Sequence, residues 1–488
     1  MYIKAHSARS IFAPMAQSIC RFSSGRYLPR VAIDIREASA RENKGLFKGG
    51  RRMKYAFTNG KVITGERDCD IKENLVILTD GEKITSLVEK VAADISGYKE
   101  IDLKGGYIMP GLINMHVHLA GNGKPQKKQR DNAKLVKTIM ANGLTRAVAY
   151  KMVASFAKIE LLSGVTTIRT VGGLGSFDTR LRDEIAAGKK DGPRILAANQ
   201  GISVPGGHMA GSVAVAVTSE EEAAKLVDEC VKEKVDLIKL MITGGVLDAK
   251  QKGVPGELKM PPKIVRAACE RAHEAGLKVA AHVESPIGVK VALENGVDSI
   301  EHGAKPDEEI IKLFKETGAT LCTTLSPALP YALFPASVSS ASEVERFNGN
   351  VVFNGIIDCA KAAIENDIPV VLGNDVGCPW ITQYDFWREL YYFKKFVGVS
   401  DSFAIYSATK RAASVAGIGD ETGSIEAGKA ADMIVLKENP LKSVPGKTVL
   451  NSCKDFCACS GIRDNKATLS GFFTIERAFS IRSSIPNK

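Results

Sequence analysis

The sequence predicts an α/β fold, a (β/α)8 TIM barrel carrying a small β-sandwich, and three observations predict it. From Tyr107 onward the chain repeats a strand, loop, helix rhythm. Ahead of that rhythm lies a series of short apolar strands split by turn pairs. Four of the seven histidines close apolar strand runs, which is where barrel enzymes place their chemistry.

Taken in order, Asn59-Gly60 and Asp80-Gly81 each separate apolar runs, and the second pair is suited to a two-residue hairpin turn. Strand-like runs follow at 108–118, 165–171, 194–201, 236–243, 277–283, 299–302, 319–325 and 369–373. Helical periodicity at 220–234, 263–276, 287–295, 307–318 and 351–366 fills most gaps, and an extra helix is expected around 135–143. Eight strands with intervening helices match the barrel. The segment 422–436 reads as strand again and is placed with the N-terminal strands. The expected division is therefore a basic extension at 1–52, a β-sandwich from 53–106 plus about 422–440, a barrel at 107–421, and a tail at 441–488 with no clean strand pattern.

Composition narrows the function. The chain has 488 residues, 44% hydrophobic and 25% charged, which excludes disorder for the bulk of it. No apolar run is long enough to span a bilayer. The net charge of +11 sits at the ends: 1–52 hold 11 Lys and Arg against 3 Asp and Glu, and 441–488 hold 8 against 3. The body, 53–440, is left with 47 basic and 49 acidic residues, which argues against a nucleic-acid partner. Ten cysteines are too sparse for a disulfide scaffold, and the expected compartment is cytoplasmic. The cluster Cys453, Cys457 and Cys459 has no nearby histidine to complete a zinc site. Residues 1–30 carry five basic residues, five serines and no acid, so organellar targeting stands as the alternative to an extension ahead of the true start.

The chemistry gathers at strand ends. His116-Val117-His118 closes the first barrel strand, and alternation points both imidazoles to one face. His282 and His302 close two later strands, and neutral imidazoles suit zinc and similar divalent metals. Asp375 follows the eighth strand. Lys239 interrupts the apolar run Asp236-Leu237-Ile238-Lys239-Leu240-Met241, where an unpaired ammonium costs several kcal/mol. It either finds a partner such as Glu301, or extends its stem toward water, or is carboxylated by CO2 into an anionic ligand able to bridge two metals. His208, in Pro205-Gly206-Gly207-His208-Met209, is expected to contact substrate from a loop that glycines allow close to a ligand. His273 sits on a polar helical segment and is expected to face solvent.

These residues carry a resemblance. The run from Gly106 to His118, the segment Ser163-Gly164-Val165-Thr166-Thr167-Ile168-Arg169 and the segment Ala431-Asp432-Met433-Ile434-Val435-Leu436 resemble the opening, second-strand and closing motifs of the metal-dependent amidohydrolase superfamily. Ile238-Lys239 followed by Thr243-Gly244-Gly245-Val246 is similar to its imidazolonepropionase-like and prolidase-like branch. The resemblance implies two divalent metal ions, zinc first among them, and a CO2-derived carbamate on Lys239. It implies His116, His118, Lys239 and Asp375 around one metal, and Lys239, His282 and His302 around the other. A metal-bridged hydroxide would then attack an amide carbonyl, with Asp375 moving the proton. N-acyl amino acids, dipeptide-like compounds and cyclic amides are the implied small-molecule substrates, and a homo-oligomer the implied assembly. Two alternatives remain: a mononuclear imidazolonepropionase-like hydrolase of cyclic amides or imines in which Lys239 is structural, and a non-catalytic assembly protein. The second is expected to have lost ligands, whereas all six residues are present here.

Overall fold

In the computed structural model, residues 53–125, 131–442 and 475–479 are described. The expectations for 1–52, for Cys453, Cys457 and Cys459, and for most of 441–488 lie outside them.

The chain opens with β1 (Lys54–Thr58), β2 (Lys61–Val62), β3 (Leu75–Asp80), β4 (Lys83–Glu89), β5 (Lys99–Asp102) and β6 (Tyr107–Pro110). The second turn pair acts as expected, since β3 and β4 pair antiparallel across Asp80-Gly81. The strands β7 (Leu112–Val117), β8 (Val165–Thr170) and β9 (Arg194–Ala197) follow, then β10 (Gly201–Ser203), β11 (Ala214–Ala216) and β12 (Leu237–Met241). The series ends with β13 (Lys278–Val283), β14 (Ser299–His302), β15 (Thr320–Thr323), β16 (Val370–Leu372), β17 (Met433–Leu436) and β18 (Ile475–Phe479). Two helices, Asn132–Met140 and Gly143–Leu162, fill the first long gap where one was expected.

Two four-stranded sheets, β4-β3-β1-β5 and β18-β17-β6-β2, share an apolar cluster that includes Phe57, Ile77, Ile84, Ile108, Met433 and Val435. Strand β17 returns to pair antiparallel with β6. The tail carries no strand signal by pattern, yet β18 pairs antiparallel with β17.

The remaining strands are parallel, and their ladders depart from a single closed ring. They form a three-stranded sheet, β7-β8-β9, and a seven-stranded sheet, β11-β10-β12-β13-β14-β15-β16. The predicted strand 194–201 breaks at its centre, where Asn199 takes φ 56° and its side chain bonds Thr179. Its first half stays with β8 and its second half joins β12. A few hydrogen bonds cross the two gaps: Asp236 N donates to Ala197 O at 2.8 Å, His118 N donates to Val376 O at 2.9 Å, and Asp375 N donates to His116 O at 3.0 Å.

Packing explains which strands end where. Every residue of β7, β12 and β14 is buried, as in a parallel sheet covered on both faces. Helix Glu220–Lys232 buries Ala223, Val227 and Cys230 at helical spacing and is capped by the Ser219 side chain. Gly373 lies so close to β7 that an added Cβ would sit 2.4 Å from His116 Cβ and 2.7 Å from its backbone nitrogen. Gly373→Ala is therefore expected to push β16 from β7 and cost roughly 1–3 kcal/mol. Gly143→Ala, where a Cβ meets nothing within 4 Å, serves as the control and should leave the thermal midpoint unchanged or slightly raised.

Candidate metal centre

The ends of β7, β13 and β14, the middle of β12 and the turn after β16 bring His116, His118, Lys239, His282, His302 and Asp375 into one buried cluster. The donor atoms of His116, His302 and Asp375 lie within 4.8 Å of one another. His116 and His302 rings are 4.8 Å apart between centroids, and His282 and His302 rings 4.6 Å.

The hydrogen bonds fix which nitrogen is free in His116 and His118, whereas His282 Nδ1 and His302 Nε2 lie 2.8 Å apart and share a proton between them. His118 Nδ1 lies 2.9 Å from the Gly172 carbonyl, an acceptor only, so the proton sits on Nδ1 and Nε2 presents a lone pair. That lone pair faces Asp375 Oδ1 at 3.1 Å. His116 repeats the arrangement: Nδ1 donates to Glu301 Oε2 at 2.7 Å, and Nε2 stands 3.5 Å from the same Asp375 oxygen. Asp375 Oδ1 is buried and receives no hydrogen bond. Acceptors turned on one another in a dry interior are costly unless a cation lies between them.

Lys239 adds a second orphan. Its side chain is 1% exposed and its Nζ has no hydrogen-bond partner. Of the partners weighed from sequence, Glu301 is committed elsewhere. It accepts from Arg169 Nη2 at 2.6 Å and Ser299 Oγ at 2.6 Å as well as from His116. The extended stem fails too, because the amine is buried.

Protonation follows from burial. Burial first, then the charge on Lys239, pushes His116 well below the usual histidine range. Burial followed by the neighbouring His208 and His302 does the same to His282. His302 is pushed down to about 4, again by burial first, with Asp375 opposing. Lys239 is pushed down to about 8 by burial, with Glu301 and Asp375 opposing. Burial works against ionisation of Asp375, but His116 and then His118 outweigh it and hold the carboxyl well below its ordinary range. Neutral imidazoles beside an ionised carboxylate are the protonation states that divalent metals require. The donor set and the orphaned atoms fit a metal centre.

His208 stands at the rim. Its ring stacks on His282 at 4.1 Å and 7°, and its Nδ1 lies 2.5 Å from Asp248 Oδ2. His273 is on the outer helix Pro262–Glu274, paired with Asp298. Several participants escaped the sequence reading. Arg169 sits in the fully buried strand β8, and a charge inside a buried strand is the same signal that marks Lys239. Glu284 follows His282 at i+2, so alternation alone places it toward the same face. Burial, then Asp375 and Asp248, pushes Glu284 up to about 8. Thr324, whose hydroxyl lies 2.6 Å from His302 Nδ1, had no signal beyond its neighbourhood to a strand end.

Comparison with known proteins agrees with this geometry. The family model described as "Amidohydrolase family" matches residues 107–483. The chain is 24% identical over 420 residues to ochratoxinase of Aspergillus niger, covering 77% of this chain and 82% of that one. It is 24% identical over 409 residues to imidazolonepropionase of Thermoplasma acidophilum, covering 78% and 88%. A solved structure titled as a Xaa-Pro dipeptidase with bound methionine in the active site superposes with a TM-score of 0.69 at 30% identity, over 80% of this chain and 95% of that one. The fold and these relatives define a hydrolase acting on carbon–nitrogen bonds. The chain belongs to the amidohydrolase family.

Proposed function

We propose that the chain hydrolyses the carbon–nitrogen bond of an N-acyl amino acid, a dipeptide-like compound or a cyclic amide, on a (β/α)8 barrel that holds two divalent metals, zinc first. His116, His118, Asp375 and a carboxylated Lys239 would hold one metal, and Lys239, His282 and His302 the other. One observation carries this reading: the buried, unpartnered amine of Lys239 stands in a cluster with four imidazoles and an unpartnered carboxylate oxygen. Carboxylation joins the deprotonated Nζ to the carbon of CO2 and releases one proton, so that the ammonium gives up two protons in all as it becomes an anion bearing two oxygen ligands. Divalent metals bound there lower the pKa of a coordinated water and polarise a substrate carbonyl. The names of the relatives support an amide-like bond as the target.

The chain's own groups do the rest. Glu301 and Gly172 hold the His116 and His118 rings through Nδ1, so that each Nε2 faces the centre. Arg169, bonded to Met115 O and Glu301, ties the first strand to β14 and keeps that orientation. Asp375 Oδ1 accepts the proton of the attacking water and returns it to the leaving amine. The test is a hydrolysis screen of the three substrate classes with zinc-loaded protein, together with elemental analysis. Two metals per chain are expected, and one metal with full turnover would overturn the binuclear reading.

His208 belongs to the substrate side of this reading, because it stacks on His282 while its own nitrogen is engaged by Asp248. His208→Ala is expected to keep both metals and lower kcat/KM by roughly 1–3 kcal/mol, read from initial rates at low substrate. Loss of metal would place it among the ligands. A homo-oligomer is part of the same reading. Leu144, Val148 and Met152 recur at i, i+4 and i+8 on helix Gly143–Leu162 and are 77%, 54% and 45% exposed, an apolar stripe of the kind that docks. Light scattering on the eluted protein tests it.

A further inference from the structure

The candidate centre straddles a join between the parallel sheets. His116 and His118 stand on or just after β7, and Asp375 follows β16, which shares no ladder with β7. Strand β7 is irregular at that point. Between Asn114 and Val117 it takes three steps where β8 takes two, a bulge that leaves His116 without a partner in that register. Asn374 lies beyond the last paired position of β16. Two backbone N–H groups are thus left over beside the ligands, and one side chain receives both. Asn114 Oδ1 accepts from His116 N at 3.4 Å and from Asn374 N at 3.3 Å. Its Nδ2 donates to Asn374 Oδ1 at 2.8 Å, which fixes the end of the amide that faces the N–H groups. Asn114 and Asn374 are both 0% exposed, so bulk water does not reach these bonds, and a donor left without its acceptor there carries the full cost of desolvation.

We infer that Asn114 is a positioning residue for the centre: its side-chain oxygen ties the backbone of His116 to the residue that precedes Asp375, and so sets the spacing between the two sides of the site. The inference rests on the metal-centre reading proposed above. A residue in a bulge keeps a backbone freedom that a regular ladder would remove. On the carbonyl side His116 is held by the Asp375 N–H, and on the ring side by Glu301 at Nδ1. The Asn114 oxygen closes the remaining side, the N–H. Because the same oxygen also holds Asn374, a shift of one lip of the join moves the other with it. Ligands of one metal need to keep their places to within roughly 0.5 Å, and here His116 Nε2 and Asp375 Oδ1 stand 3.5 Å apart on opposite lips.

The two asparagines supply their own control. Either alanine variant removes the bond from Asn114 Nδ2 to Asn374 Oδ1, but only Asn114→Ala takes the oxygen away from the two N–H groups. Zinc affinity of the full chain is measured by chelator competition, and the thermal midpoint in excess chelator. Both variants should lower that midpoint. Asn114→Ala should weaken zinc binding by roughly 10–100-fold, the scale of losing a group that orients a ligand, whereas Asn374→Ala should stay within about threefold of wild type. Equal loss in the two variants overturns the inference, because the side-chain bond would then act through the fold alone. If Asn114→Ala fails to fold, Asn114→Asp carries the test. It keeps the oxygen in place, and Asn374 Nδ2, which has no partner, can turn to meet the new acceptor. Its zinc affinity should also stay within about threefold of wild type, and a loss of about tenfold or more overturns the inference. Wild-type affinity in Asn114→Ala sinks this inference and leaves the metal-centre reading standing, whereas a wild type that binds no zinc sinks both.

Discussion

Lys239→Ala is expected to lose at least one equivalent of metal and to lower kcat by at least roughly 100-fold, the scale of removing one preorganised charge-stabilising group. The reasoning begins with cost. An amine that is 1% exposed and without a hydrogen bond cannot be there for the stability of the metal-free fold. Removing a buried, uncompensated charge is often neutral or stabilising. Lys239→Met, which fills the same volume with an apolar chain, should therefore leave the metal-free protein at least as stable as metal-free wild type, read as the thermal midpoint in chelator. The metal-loaded proteins should order oppositely, because binding to the native state adds stability that the variant cannot gain. Intact mass of gently handled wild type should exceed the sequence mass by one CO2, and an added short carboxylic acid should partly restore Lys239→Ala. A variant with full metal content and normal turnover would falsify the bridging role.

The strand-end histidines were legible because a parallel barrel strand obeys two simple rules: apolar residues fill it, and alternation assigns each side chain a face. His116, His118, His282 and His302 break the first rule at the point where the second turns them inward, and the structure brings them together. Lys239 was legible for the same reason. What the sequence hid is whatever depends on long-range register. Glu301 is three positions from being ordinary in Ser299–His302, and only folding shows that it serves His116 and Arg169 rather than Lys239. The break of the third strand at Asn199 was hidden too, because an asparagine within an apolar run reads as tolerable until its side chain finds Thr179 and Glu233. Strand β18 was missed because Arg477 interrupts the alternation of Ile475 and Phe479 in an otherwise patternless tail.

Asp375→Asn should give a folded protein that keeps most of its metal yet loses at least roughly 100-fold in kcat, the lower range for a general acid–base group. The substitution suits the backbone. Asp375 has φ 57°, a left-handed conformation that asparagine tolerates nearly as well as aspartate, and the N–H it donates to His116 O at 3.0 Å is retained. The change is therefore confined to the charge and the proton affinity of one side-chain oxygen. In wild type that oxygen stands 3.1 Å from His118 Nε2 and 3.5 Å from His116 Nε2, close enough to both rings to share a metal with them and to reach a water held between them. An amide oxygen can still face a cation, but it cannot carry a proton from water to the leaving amine. The separation of metal content from turnover is what distinguishes a proton carrier from a simple ligand. If Asp375→Asn lost its metal along with its activity, the residue would act only by coordination. If it kept metal and more than about a tenth of the wild-type kcat, another group would have to move the proton. Glu284 would then be the first to examine, since among the described residues it is a further carboxylate bordering His282 and His302, with a buried Oε2 that receives no hydrogen bond.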